Sequence, residues 1–238
     1  MTVEPVTFTA KGVRRGYIDC LPLLLAMAPF GLICGVLSQG VGLSIGETVL
    51  MAMIVFAGSA QLVCLNIWTH PPDLLAVTLA TFVINLRMAL MGPVLSPWLD
   101  QLRGWRVWGS LFVMADQNWA MSVSEMNKGG RDAGYLLGTG LAFWSMWVAT
   151  SAVGFVLGAA VKPTPGHPLF FAALAVFVVM LAQMWRGRAD ILPWVIAALV
   201  SSAVAWLLPG TFWFIVAGAI SGSVVAGVRD HMRDEKPT

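Results

Sequence analysis

Residues 74–96 read LLAVTLATFVINLRMALMGPVLS, mostly apolar, with a single charge near the centre, Arg87. A helix rises 1.5 Å per residue and the hydrocarbon core of a bilayer is about 30 Å thick, so about 20 such residues cross it. The run lacks the ten-residue alternation of a transmembrane strand, so it is read as a membrane-spanning helix. An arginine halfway along such a helix costs roughly 3 kcal/mol or more unless paired or hydrated, which makes it a functional marker.

Outward from this stretch, the rest of the chain reads the same way. Of 238 residues, 58% are hydrophobic and 11% charged, and the mean hydropathy is +0.79. A soluble domain carries about 25% charged residues to face water, so lipid must solvate most of this surface. Further apolar runs lie at about Tyr17–Leu37, Gly46–Asn66, Val107–Glu125, Tyr135–Val161, Leu169–Met184, Ile191–Leu208 and Thr211–Val228. The expected fold is an all-α integral membrane protein, a polytopic bundle of about eight transmembrane helices, some broken mid-membrane.

The domain plan is a cytoplasmic N-terminal segment (1–16), a transmembrane domain (17–228) and a cytoplasmic tail (229–238). Basic residues fix this orientation. With both termini inside, Lys11, Arg14, Arg15, Lys128, Arg131, Arg186, Arg188, Arg229, Arg233 and Lys236 face the cytoplasm, and Arg103, Arg106 and Lys162 face out. The first residues lack a compact apolar core and do not read as a cleaved signal. Loops such as 100–106 and 127–134 are too short to fold alone. Cys20, Cys34 and Cys64 fall within spans and predict no disulfide, and no metal or cofactor is called for. A net charge of +2, spread along the loops, does not suggest nucleic acid. Trp68, Trp98, Trp105, Trp185, Trp194, Trp206 and Trp213 fall at span ends, as an interfacial belt does. Gly134-x-x-x-Gly138 and Gly154-x-x-x-Gly158 predict close helix approach. Pro22 and Pro29 are expected to break the first span.

Asp116, midway in the fourth run, is the acidic counterpart of Arg87, and the two can meet. Around them lies a polar layer: Phe56-Ala57-Gly58-Ser59-Ala60-Gln61 in the second run, the stripe Thr78, Thr81, Asn85 in the third, and Asp116-Gln117-Asn118 in the fourth. Three polar residues in a row point in three directions, so the fourth run is either buried on most sides or locally unwound. Arg87 lies about 200° from Asn85 around the helix. Broken helices meeting mid-membrane are a common way to build a transport site. The layer suits a zwitterion. Its carboxylate would lie against Arg87 or free amides near Gly58-Ser59. Its ammonium would lie against Asp116, aided by Asn85, Gln61 or Asn118, with Phe56, Met88, Met91 and Phe112 around an aliphatic side chain. The competing reading is a permanent structural ion pair, with Ser59, Gln61, Thr81 and Asn85 bonding between helices.

The runs Pro29-Phe30-Gly31, Gly35-Val36-Leu37 and Gly42-Leu43-Ser44 resemble the first span and loop of AzlC-type branched-chain amino acid exporters. Phe56–Gln61, Asn85-Leu86-Arg87, Asp116, and Tyr135-Leu136-Leu137-Gly138 with Trp147 resemble later signatures of that family, over residues 12–160. The resemblance implies a large subunit in the bacterial inner membrane that exports branched-chain amino acids by alternating access. It also implies a partner, a small four-span AzlD-type membrane subunit. Carried over, Gly58, Ser59, Gln61, Asn85, Arg87 and Asp116 form the candidate site, with Asp116 also the coupling residue. Two departures stand out. Met88 and Gln117 occupy positions where the family often has His and Glu, which removes two titratable groups and puts the energy source in question.

Rival readings come from other classes. An uncoupled channel or facilitator would move the solute without responding to a pH gradient. An ABC-type permease subunit would need a cytoplasmic coupling loop, and the loops are small. An intramembrane enzyme would have only His70 and Asp73 near one another as acid–base groups.

Overall fold

The computed structural model describes residues 5–161, 178, 182, 187–209 and 213–234. These form helices, and among the described residues no strand forms beyond a single bridge between Thr7 and Asp132. The chain divides into two compact units, Met1–Ala173 and Leu174–Thr238. The expected sixth span, Leu169–Met184, and Trp185 lie almost wholly outside the described residues.

In the first unit, α1 (Ala10–Gly40) starts at Thr9, whose hydroxyl accepts from the Gly12 amide. It runs unbroken through Pro22 and Pro29, contrary to expectation. The reason is its packing against α8 (Gly134–Val161), parallel to α1 along its length. Gly12 and Gly16 of α1 touch Asp132, Tyr135 and Thr139, while Gly31 and Gly35 touch Thr150 and Ser151. Reciprocally, Gly134, Gly138, Gly154 and Gly158 of α8 lie on Thr9, Val13, Leu32 and Val36. Glycines clamp α1 on both sides of the prolines, so each proline costs one hydrogen bond without releasing the axis.

The second apolar run forms two helices, α2 (Ile45–Val55) and α3 (Gly58–Asn66). Between them, Phe56 is left-handed at φ 39°, and Ala57 is extended. This pair does not cross the bundle. Its end loop returns to its start, where His70 Nε2 lies 2.6 Å from the Val41 carbonyl. It is a re-entrant hairpin at the distal end, opposite the N-terminal segment. Capping holds both ends: Ser44 and Glu47 form a capping box on α2, and Asp73 caps the next helix.

α4 (Leu74–Met91) crosses back, tightens to a 3-10 turn at Gly92–Leu95 around Pro93, and continues as the short α5 (Ser96–Leu99). The fourth run then repeats the hairpin in the opposite sense, with α6 (Trp105–Phe112) and α7 (Asp116–Asn127) joined by the unwound Val113-Met114-Ala115. Both arms end at the proximal side. Phe8 meets Trp105 edge-on at 5.7 Å, Arg106 lies over the Phe8 ring, and Arg15 pairs with Glu125 at the other arm's end. The unit thus shows a long helix followed by a broken hairpin, twice, in opposite directions.

This geometry corrects the loop assignment. Arg106 stacks on Phe8 and the Val6 amide donates to Gln101 at 3.0 Å, so the loop carrying Arg103 and Arg106 belongs to the N-terminal end. The opposite placement follows only if the fourth run crosses the bundle, and it turns back instead. Trp98 is also not interfacial. It is 2% exposed, donates to the Gly130 carbonyl, and anchors a cluster with Leu95, Leu99, Leu102, Met114, Tyr135 and Leu136. Trp105, Trp206 and Trp213 are exposed, as a belt requires.

The second unit packs α9 (Ile191–Leu207) against α10 (Trp213–Asp234). Gly218 and Gly222 lie on Ser201, Ala197 and Pro193, and the Ser201 hydroxyl donates to the Phe214 carbonyl.

Candidate functional site

The two hairpin tips meet the middle of α4. Asp116 is the first residue of α7, and its carboxylate accepts from Arg87 Nη1 at 2.6 Å. Arg87 Nη2 donates to Ser59 Oγ at 3.2 Å, in the first turn of α3. One guanidinium therefore ties both breaks together. The pair is neither dry nor open, the side chains being 37% and 27% exposed.

The electrostatics of this point follow from the breaks. A helix N-terminus exposes unpaired amides and carries partial positive charge. Two such ends converge on Arg87. α3 begins at Ala57 with no side-chain cap, and the first amide with an intrahelical partner there is that of Gln61, bonded to the Ala57 carbonyl. α7 is served by Asp116 and by Asn118, whose Oδ1 accepts from the Ala115 amide at 2.6 Å. The locus is thus rich in donors, with Asp116 as its one carboxylate. Its geometry can take an anion on Arg87 and α3 while Asp116 takes a cation.

The other expected residues divide. Gly58 is pressed against Phe30 and Trp147, where a Cβ would collide with both rings. That contact sets how closely α3 approaches α1 and α8. Gln61 is buried, and its Oε1 accepts from Trp147 Nε1 at 2.8 Å. Asn118 is fully buried and spends both ends of its amide on the second break, donating to the Val113 carbonyl. Asn85 points away from Arg87, and its Oδ1 is buried without a partner. Arg87 Nε is likewise unpartnered. Cys64 and Thr81 lie 2.9 Å apart and join α3 to α4.

Of the expected apolar lining, Phe56 is buried at the first break. Met88 and Met91 pack on the Trp98 cluster, and Phe112 is 55% exposed. Gln117 approaches Met27 of α1 at 3.9 Å. Of two positioning residues, Trp147 enters the sequence reading only as part of a family signature and Trp119 does not enter it. Trp147 braces the first tip, and Trp119, which donates to the Met91 carbonyl at 2.9 Å, braces the second. Their signal was a tryptophan away from any span end.

A family model described as AzlC protein matches residues 22–161. An uncharacterized membrane protein of Archaeoglobus fulgidus is 28% identical over 90% of this chain and 94% of its own. The inner membrane protein YgaZ of Escherichia coli is 25% identical over 95% and 91%. A Bacillus subtilis protein named branched-chain amino acid transport protein AzlC is 25% identical over 72% of this chain and 67% of its own. No solved structure matches.

Proposed function

We propose, because the chain belongs to the AzlC family, that it is the large subunit of a secondary transporter. In this reading it exports branched-chain or other aliphatic amino acids by alternating access, together with a small four-span partner subunit. The Bacillus subtilis relative's name supports the substrate class. The observation that carries the reading is the Arg87–Asp116 pair at the meeting of two hairpin tips.

A zwitterion carries the two charges that this pair neutralises. On entry, its carboxylate takes the Arg87 guanidinium and the open amides at the start of α3, and its ammonium takes Asp116. The tips then hold to the solute rather than to each other. Each hairpin closes one end of the unit, α2–α3 the distal end and α6–α7 the proximal end, so moving one and then the other gives alternating access. Asp116 is the group through which a proton could be coupled, since Met88 and Gln117 do not titrate. The positive-inside rule supports a cytoplasmic proximal end. Lys11, Arg14, Arg15, Arg103, Arg106, Lys128 and Arg131 all belong to that end, and the described distal loops carry no Lys or Arg.

The test is efflux from cells fed branched-chain dipeptides, expressing the chain with and without its small partner. Efflux of valine or leucine that requires both proteins, and is abolished by Arg87→Ala or Asp116→Asn in protein that still inserts, is expected. The exchange Arg87→Asp with Asp116→Arg separates the competing readings. A structural pair regains stability and transport together, whereas a binding pair regains stability without transport. Efflux unaffected by a pH gradient would favour the uncoupled facilitator.

A further inference from the structure

A groove of about 730 Å³ lies at the proximal end, between the start of α1 and the start of α6, away from the central pair. Two arginines from distant parts of the chain line it, Arg14 of α1 and Arg106 of α6, and no described carboxylate does. Among the described residues neither has an ion-pair partner, whereas Arg15 and Arg87 both do. Arg106 is steadied by Phe8, its guanidinium carbon 5.4 Å from the ring centre, and Phe8 leans in turn on Trp105. A stacked guanidinium of this kind keeps its N–H groups for an oxyanion.

Below the arginines the groove is apolar, lined by Val13, Ile18 and Leu137, with the half-exposed rings of Tyr17 and Trp105 at its sides. Arg14, Ile18, Leu21 and Leu25 recur at intervals of three or four residues, so they share one face of α1. Ile18, Leu21 and Leu25 are all exposed along it. At 1.5 Å per residue this track runs about 16 Å from the arginine toward the middle of the bilayer. A cationic mouth above an open apolar track has two parts, and a solute in water would use only the first. We infer that the groove binds one anionic phospholipid, with its phosphate on Arg14 and Arg106 and an acyl chain along Ile18, Leu21 and Leu25. Basic pockets between transmembrane helices hold such headgroups, and Tyr17 and Trp105 stand at the interfacial depth that aromatic rings favour. The lipid then bridges α6 of the proximal hairpin to α1. The site requires the membrane-spanning fold and not the transport reading.

The test is native mass spectrometry of the full-length protein in detergent holding equal amounts of phosphatidylglycerol and phosphatidylcholine. One phosphatidylglycerol should stay bound in about twentyfold preference, about fivefold for each arginine. Arg14→Gln with Arg106→Gln should abolish that preference. Arg14→Gln alone, at an exposed helix position, should cut it about fivefold and serves where the double variant does not purify. Ile18→Trp fills the track without touching a charge and should also lower retention. Arg103→Gln with Lys128→Gln removes the same charge from exposed positions at the same end but outside the groove, and should leave the preference intact. Equal retention of the two lipids overturns the proposal, as does unchanged retention in Ile18→Trp. So does an equal loss in the Arg103 and Lys128 variant, which assigns the effect to diffuse surface charge. So does displacement of the lipid by inorganic phosphate at equal concentration, which assigns it to the anion alone.

Discussion

Alanine in place of the α8 glycines tests the packing that holds the first unit together. At Gly138 and Gly154 an added Cβ overlaps the Val13 and Leu32 carbonyls of α1. Backbone cannot swing aside as a side chain can, so α1 and α8 must separate by roughly an ångström before ordinary contact is restored. Overpacking of this kind costs about 1–3 kcal/mol, more than the gain of about 1 kcal/mol from replacing a helical glycine. The net cost is then up to about 2 kcal/mol, and at about 2–4 °C per kcal/mol for a chain of this size each variant should lower Tm by up to roughly 8 °C. Gly158→Ala is the graded case, its Cβ meeting Val36 Cα at 3.0 Å, and Gly40→Ala is the control, with nothing within 4 Å. The assay is built in, because Cys20 and Cys34 are buried on α1 and react with a maleimide dye once α1 leaves α8. Equal melting of the Gly154 and Gly40 variants would refute the reasoning.

Trp147→Phe leaves the buried Gln61 oxygen without its donor, and Gln61→Leu does the reverse. Each should cost about 1–3 kcal/mol, the double variant less than the sum, and additive Tm losses would argue against the bond. Phe56→Gly relieves a left-handed φ worth about 1–3 kcal/mol but removes a buried ring worth about 3–5 kcal/mol. Net destabilisation is expected, and a higher Tm would show that strain dominates. Asp132→Ala removes the acceptor of the Thr9 and Gly134 amides. Residues 5–9 should then be cleaved faster in limited proteolysis, and an unchanged rate would detach this carboxylate from the N-terminal segment.

Much of the fold was legible because apolar length and Lys/Arg placement are direct consequences of the bilayer. The breaks were legible only as alternatives, Gly58 standing beside Pro22 and Pro29 as a weak point and the fourth run reading as either buried on most sides or unwound. Gly58 marks the first, and Asp116-Gln117-Asn118, which no single helix face can bury, marks the second. The Arg87–Asp116 contact followed from the cost of leaving either charge alone in lipid. The direction of the second and fourth runs was not legible. A broken apolar segment of some twenty residues has the same hydropathy whether it crosses or turns back, and the answer lies in contacts such as His70 with Val41. Pro22 and Pro29 misled because local punctuation yields to close packing across α8. Asn118 reads as a ligand by type, yet the unwound turn it follows needs its amide. Trp98 reads as interfacial by position, but Gly130 offers its indole an acceptor inside the fold.

The bond between Gln61 and Trp147 also has a consequence in time. Its partners are 86 residues apart in the chain, which at about 5–20 residues per second is roughly 4–17 s of translation. Through that interval the first hairpin has left the ribosome, yet the tryptophan that braces its tip has not been made. Biogenesis must shelter a bent apolar segment with open backbone groups, in the translocon or beside it, until the fifth apolar run emerges. That late run, rather than the N-terminal helix, is the keystone of assembly, and chains cut short before it present the quality-control machinery with an unfinished arch.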